Sequence, residues 1–387
     1  MSVSMRKYLL LSLILVFAPA LAPAQAQAQG ASMASSNEPF KLGTFQIEGM
    51  PKVGIVLQDR YIIDLAVANI DLETNPMYPR LPMPSDMIEL IGQYEYGLKY
   101  RLYELVNRLV ADEMVSGSNQ ASYVYEREDI KVLPPLMYPG KILNAAVNFY
   151  SHVNESGTEE QRQAAMRQRQ ENRGVPYLFM KPTRGAVIGA DDTIMIPYGR
   201  DRTDWEVELG AVIGRPAKYV SAANAQDYVF GYTITMDISD RGGRPPGGFS
   251  GGTDWFVGKG HDTFAPMGPW IVPKEFYGDP MANLRQTLSV NGEMIQEARA
   301  GDMIHTLWEI IEYGSSIITL FPGDVINNGT SGGTMGQRDS GQSWLQAGEV
   351  VEASIDGIGT MRLDVAVEAE RPEGTGAQLP PVRSYRD

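Results

Sequence analysis

The segment Asp204-Trp205-Glu206-Val207-Glu208 sets two glutamates two residues apart at the start of an apolar run. In an extended strand successive side chains alternate between faces, so both carboxylates share one face while Val207 turns into the core. Two like charges side by side repel unless a cation lies between them or one keeps its proton. A second apolar run, 229–236, ends at Asp237, where a third carboxylate can converge on the pair. Three carboxylates and no thiolate select a hard divalent cation: Mg²⁺, Mn²⁺ or Ca²⁺. A strand with its charges in water satisfies the same spacing, so the pattern alone leaves both readings open.

A second group lies in Asn148-Phe149-Tyr150-Ser151-His152-Val153-Asn154-Glu155. His152 and Glu155 are three apart, so one turn of helix brings them together. A carboxylate on one imidazole nitrogen fixes the tautomer and leaves the other nitrogen free to take a proton from water. A surface His–Glu pair without chemistry has the same spacing. Only His261 and His305 compete for imidazole chemistry.

Composition narrows the classes. The chain has 387 residues, 43% hydrophobic and 21% charged, enough for a large core and for two or three domains. With 33 Lys and Arg against 47 Asp and Glu, the formal net charge is −14, which repels phosphate backbones and argues against a nucleic-acid partner. Cysteine is absent, which removes disulfides, thiolate metal sites and a cysteine nucleophile. Forty glycines and 25 prolines point to strands and turns.

At the amino terminus, Arg6 and Lys7 precede an apolar run and then small residues ending in Ala24-Gln25-Ala26-Gln27-Ala28. This predicts a cleavable secretory signal over 1–28, and hence an exported protein, periplasmic or secreted. Pro19 and Pro23 fall where the second half of a membrane anchor would lie, so no stable membrane insertion is expected.

The elements that must position these groups follow from periodicity. Residues 29–39 read as a linker. A small N-terminal β/α domain over 40–136 opens with strands at 41–47, 52–58 and 60–65, with turns at Glu48-Gly49 and Gln58-Asp59. Helices follow from Asp86 to Gln93 and over 96–112, the latter with Leu98, Leu102, Leu105 and Leu109 on one side. A larger domain, 137–370, carries strands at 141–148, 193–196, 204–213, 229–236, 264–272, 288–290, 325–328, 350–355 and 359–367. A short helix is expected over 221–227, and another within 302–321 that buries Ile304, Leu307, Ile311 and Ile317. The fold class is therefore α+β and β-rich. The polar stretch 158–173 reads equally as a solvated surface helix or a lid, and 371–387 as a loose tail.

Taken in order, Asn148-Phe149-Tyr150-x-His152-x-x-Glu155, Leu178-Phe179-Met180-Lys181-Pro182, Asp204-x-Glu206-x-Glu208-Leu209, Gly231-Tyr232-Thr233…Asp237-Ile238-Ser239…Arg241, Gly258-Lys259-x-x-Asp262, Pro322-Gly323-Asp324…Gly329-Thr330 and Gly357-Ile358-Gly359 resemble the fumarylacetoacetate hydrolase family. The resemblance runs from about residue 41 to 367 and implies a mixed β-roll catalytic domain, a small N-terminal domain and a homodimer. It implies Glu206, Glu208 and Asp237 as ligands of a divalent cation, with Mg²⁺ first and Mn²⁺ or Ca²⁺ as alternatives. His152 with Glu155 is implied as the water-activating pair, carried on a short helix. Lys181 and Lys259 match lysines facing the active site. Thr330 matches the threonine of the family's Gly-Thr-Pro motif, and Arg241 falls with Lys259 and Thr330 among substrate-binding positions.

There are departures from the pattern. Asp240-Arg241-Gly242-Gly243-Arg244 stands where the family commonly has Ala-Arg-Asp-x-Gln, and Ser331 replaces a proline. The insertion after Glu155 is longer than usual. The resemblance implies a metal-dependent hydrolase of a carbon–carbon bond in a β-diketone or acylpyruvate-like small acid. Decarboxylation, isomerisation or hydration of a small oxo acid at the same site are alternatives, as is an exported binding protein that has lost turnover.

Overall fold

The computed structural model describes residues 35–153, 155, 157–247, 254–371, 374 and 379–386. The expected signal segment, 1–28, lies outside the described residues. No helix among them is long and apolar enough to cross a membrane.

The N-terminal meander forms as its turns dictate. Lys41–Ile47, Met50–Leu57 and Tyr61–Asp64 are antiparallel neighbours. Both hairpins turn through two residues of positive φ, Glu48-Gly49 (53° and 79°) and Gln58-Asp59 (54° and 55°), the geometry that matches strand twist. Asp64 ends the third strand and caps a helix over Leu65–Leu72, accepting from the Ala66 and Val67 N–H groups. The helix predicted over 96–112 starts later, at Lys99, and ends at Ala111. Gly97, at φ 122°, kinks the chain between it and the Met87–Gln93 helix.

The meander does not stand apart from the rest. One 12-stranded sheet runs from it through the pairing of Leu42 with Ile271 into Ala265–Pro273, Val229–Met236, Val207–Ile213, Val325–Asn327 and Ile142–Ala145, ending at the edge strand Leu178–Lys181. Val212, Phe230 and Ile271 pack in one core with Leu42, Ile55 and Leu102. A boundary at residue 136 therefore crosses a shared sheet and a shared core. A five-stranded sheet (Glu293–Arg299, Arg285–Val290, Val350–Ile355, Gly359–Val367, Thr193–Ile196) covers the other face. Between the sheets Val207, Leu209, Ala211 and Ile213 pack with Leu288, Val351 and Leu363. That alternation turns Glu208 and Gly210 to the opposite face.

Several expectations are corrected. The strand predicted over 204–213 is broken: Thr203–Asp204 pairs with Ser239–Asp240, and Val207–Ile213 pairs with Val229–Met236. Ile317 is 64% exposed, because it lies at the end of the Leu307–Ile317 helix, beyond its buried face. Ile304 is buried but precedes that helix. In place of a loose tail, residues 379–386 fold back, with Val382 buried and the Tyr385 hydroxyl donating to Gly243 O at 2.9 Å.

Candidate functional site

Glu206, Glu208 and Asp237 lie together. All three are buried, and one oxygen from each lies within 4.8 Å of the others. Two strands produce this. Glu208 projects from Val207–Ile213, Glu206 directly precedes that strand, and Asp237 follows Val229–Met236. The Asp237 N–H donates to Glu206 O at 2.9 Å, which carries the ladder past the strand ends and holds the three in register.

The surrounding cations are shared unevenly. Lys259 Nζ donates to Glu206 Oε2 at 3.0 Å, Asp237 Oδ2 at 2.6 Å and Ser239 Oγ at 2.7 Å. Lys181 donates to Asp237 and to Ile238 O, and Arg241 to Glu206 and to Asp204 Oδ2. Glu208 pairs with none of these cations. Among the described residues it accepts only from Asn144 Nδ2 at 3.1 Å and the Gly329 N–H at 3.3 Å.

The proton equilibria follow. Burial and the neighbouring Asp237 and Glu206 charges push Glu208 well above the usual carboxylate range. Burial would also raise Glu206, but Lys259, Arg241 and His152 outweigh it and hold Glu206 low. Burial depresses Lys181. It would lower Lys259 too, but Asp237 and Glu206 more than reverse it.

The donor set fits a hard divalent cation on grounds internal to this structure. One buried carboxylate lacks a counter-charge, and beside it Asn144 Oδ1 is buried without a hydrogen-bond partner. An oxygen-rich, undercharged corner of this kind is completed by a cation or its water.

His152 lies on the Tyr150–Val153 turn of helix, and its Nδ1 bonds Glu155 Oε2. Glu155 is itself held by three donors: the Gly333 N–H, the Thr334 N–H at 2.7 Å and the Thr334 hydroxyl at 2.9 Å. Burial raises the Glu155 carboxyl, but the bonds to His152 and Thr334 prevail and set it below its ordinary value. With Nδ1 tied to the carboxylate, Nε2 is the nitrogen left to exchange a proton. The imidazole is also near enough to Glu206 to be felt by its carboxyl.

The remaining expected residues divide. Lys181, Lys259 and Arg241 join the carboxylates as internal counter-ions. Thr330 does not face open space: its hydroxyl donates to Val207 O at 2.9 Å and accepts from Gln296 Nε2 at 2.9 Å, so it secures the strand between the two glutamates. Sequence reasoning passed over Asn144 and Thr334. It also passed over the part played by Asp204, which ties Arg241 to the Met335 N–H (2.7 Å). The signal for Thr334 was the glycine-rich run 329–336. Gly333 has φ 96°, and a Cβ there would lie 2.2 Å from Ile295 O, so only glycine lets this loop reach Glu155.

The site and fold have recognisable relatives. The chain is 35% identical over 232 residues to a 2,4-didehydro-3-deoxy-L-rhamnonate hydrolase of Sphingomonas sp. (strain SKA58), covering 60% of this chain and 75% of that protein. It is 31% identical over 293 residues to the mitochondrial oxaloacetate tautomerase FAHD2B of Bos taurus, covering 75% and 82%. Among solved structures, maleylpyruvate hydrolase from Sphingobium sp. SYK-6 in complex with manganese(II) and pyruvate superposes with a TM-score of 0.60 at 25% identity, covering 85% of this chain and all of that one. Residues 141–366 match the family described as fumarylacetoacetate (FAA) hydrolase, C-terminal, and the chain therefore belongs to the fumarylacetoacetate hydrolase family.

Proposed function

We propose that this protein is a divalent-cation-dependent hydrolase that cleaves a carbon–carbon bond in an acylpyruvate-like small acid. The observation that carries the reading is the His152–Glu155 pair, fastened to the 333–334 loop whose Gly333 O accepts from the indole of Trp205, the residue before Glu206 of the buried carboxylate trio. Glu206, Glu208 and Asp237 would hold the cation, with Mg²⁺ the first choice and Mn²⁺ an alternative supported by the manganese in the maleylpyruvate hydrolase structure. When bound, such a cation polarises the substrate carbonyl and stabilises enolate charge.

Glu155 holds the Nδ1 proton of His152 and so orients the ring. His152 Nε2 takes a proton from water as its oxygen bonds to the carbonyl carbon. The adjacent carbon–carbon bond breaks, its electron pair leaves on the carbon fragment, and that fragment recovers the proton. Lys259 and Lys181 hold Asp237, and Lys259 and Arg241 hold Glu206, so both side chains stay aimed. Desolvated charges fixed in this way stabilise charge that develops beside them.

A second reading is supported by the tautomerase relative, which the chain matches over most of its length. Keto–enol exchange needs the same cation and base but no water. One experiment separates the two: incubate the Mg²⁺- or Mn²⁺-loaded protein with acylpyruvates and with oxaloacetate, and weigh the products. Gain of water with two fragments supports hydrolysis, and unchanged mass supports tautomerisation. His152→Ala is expected to lower hydrolysis by about 10²–10⁴-fold while the cation still binds. Survival of turnover within a few-fold removes the assigned base. Export and a homodimeric state belong to the same proposal, checked by N-terminal sequencing of the mature protein and by its mass in solution.

A further inference from the structure

Four successive backbone N–H groups, those of residues 333–336, are divided between two carboxylates. The Gly333 N–H and the Thr334 N–H (2.7 Å) donate to Glu155 Oε1. The next two go to another acid: the Met335 N–H donates to Asp204 Oδ2 at 2.7 Å and the Gly336 N–H to Asp204 Oδ1 at 3.4 Å. Successive N–H groups in a turn of this kind make a concavity that holds anions. Here one run serves both the acid bonded to His152 and an acid two residues before Glu206.

The run does not hold this shape unaided. Gly333, Met335 and Gly336 all have positive φ (96°, 59° and 72°). Met335 carries a side chain, and such a residue keeps a left-handed conformation only where its surroundings impose it. The strip 203–205 imposes it. Asp204 is buried and supplies the acceptor for Met335. The buried Trp205 indole N–H donates to Gly333 O at 2.8 Å. Farther along, the Leu345 N–H donates to Thr203 O at 2.9 Å and fixes the returning chain to the same strip.

That strip runs directly into the carboxylate trio. Glu206 is the next residue, and Arg241 bridges it to Asp204, donating from Nε to Asp204 Oδ2 at 2.8 Å and from Nη2 to Glu206. Three consecutive residues thus serve the two halves of the site. Glu206 belongs to the trio, while Trp205 and Asp204 hold the loop that holds Glu155.

Resting on the assignment of His152 as the base, we propose that Asp204 and Trp205 are positioning residues for the His152–Glu155 pair. Neither bonds to that pair. Asp204 keeps Met335 and Gly336 left-handed and Trp205 anchors Gly333, and this aims the Gly333 and Thr334 N–H groups at Glu155. Glu155 then keeps the proton of His152 on Nδ1 and leaves Nε2 bare. Without the Asp204 acceptor, two adjoining N–H groups lose their partner, and the loop must turn to satisfy them. Glu155 loses its donors in that turn, and the imidazole loses its tether.

The test reads the imidazole directly, on the full chain without added cation. The protein has three histidines, so labelling the ring nitrogens with ¹⁵N gives few signals, and His152→Ala identifies those of His152. At alkaline pH, where imidazole is neutral, the parent is expected to carry the His152 proton on Nδ1. Asp204→Ala is expected to move it toward Nε2. Trp205→Phe, which keeps a buried ring but removes the N–H, is expected to do the same to a smaller extent. Asp240→Asn disturbs the neighbouring ion cluster instead and should leave the His152 signals where they are. With Mn²⁺ and a substrate that the parent turns over, Asp204→Ala is expected to lower kcat by about 10–100-fold with KM within a few-fold. A proton that stays on Nδ1 in both Asp204→Ala and Trp205→Phe, or an equal shift in Asp240→Asn, overturns the proposal. Should Asp204→Ala fail to fold, Trp205→Phe decides alone. A parent protein with the His152 proton on Nε2 overturns instead the base assignment on which the proposal rests, so the two failures are distinct.

Discussion

Two buried ion clusters lie almost side by side in this protein, and they are built differently. Around Asp240 the carboxylate is matched by a cation: Arg200 Nε donates to Asp240 Oδ2 at 2.6 Å and the Gly242 N–H to Oδ1 at 2.7 Å, while His261 Nε2, buried without a described hydrogen-bond partner, stands 3.5 Å away. Arg200 spends its other nitrogens on the Tyr385 hydroxyl and Gly243 O, each at 2.6 Å. Three residues earlier, around Asp237, the cations satisfy Asp237 and Glu206 and leave Glu208 to two neutral donors. A completed cluster holds the chain together. An incomplete one, held open by rigid strands, is a place for something to bind, and the contrast separates framework from function without reference to any relative.

The largest test of that contrast is Glu208→Gln. Replacing a buried carboxyl that has no counter-ion is expected to leave the cation-free protein at least as heat-stable as before. The rise in melting temperature on adding Mn²⁺, and all turnover, should vanish. Scanning calorimetry with and without Mn²⁺ reads both, and a large loss of stability without cation breaks the comparison. Asp240→Asn should behave in the opposite way. It strands Arg200 in the interior, costing about 3–5 kcal/mol in denaturant unfolding, while Mn²⁺ affinity stays within a few-fold. Comparable losses of affinity in the two variants would mean that the clusters are one unit.

The smallest effect concerns Glu155, whose folded carboxyl lies below its ordinary value of 4.5. A depressed acid adds stability that is complete above the unfolded value and is lost as pH falls through the folded one. Stability of the parent protein should therefore decline below about pH 4.3 more steeply than that of Glu155→Gln. Parallel urea midpoints for the two proteins between pH 5 and 3 would show that the His152–Glu155 bond adds nothing to folding.

Much of this was legible in the sequence, for definite reasons. Alternation placed Val207 inward and Glu208 outward, and the strands at 41–47, 229–236, 350–355 and 359–367 follow from runs bounded by turn residues. Other features were present but unread. Asn291-Gly292, at φ 51° and 82°, is a strong hairpin signal, and the missed strand Glu293–Arg299 follows it. Asp64 was a helix cap concealed at the end of a strand. The roles of Asn144, Thr330 and Thr334 were not readable locally, because each is set by a partner far away in the chain: Glu208, Val207 and Glu155. Whether a lysine meets substrate or a neighbouring acid is likewise decided by tertiary packing, which spacing does not record.

The pairing of Leu42 with Ile271 has a consequence for how the chain is made. During synthesis the strand Lys41–Ile47 can form its hairpin at once and pair its residues 44–46 with Lys131–Leu133 soon after, but Leu42 on that same side must wait until Ala265–Pro273 has emerged. For that interval the nascent protein carries part of an open β-edge, the kind of surface on which chains stick to one another. Ribosome-bound fragments ending before residue 265 should therefore be the species that most need a chaperone.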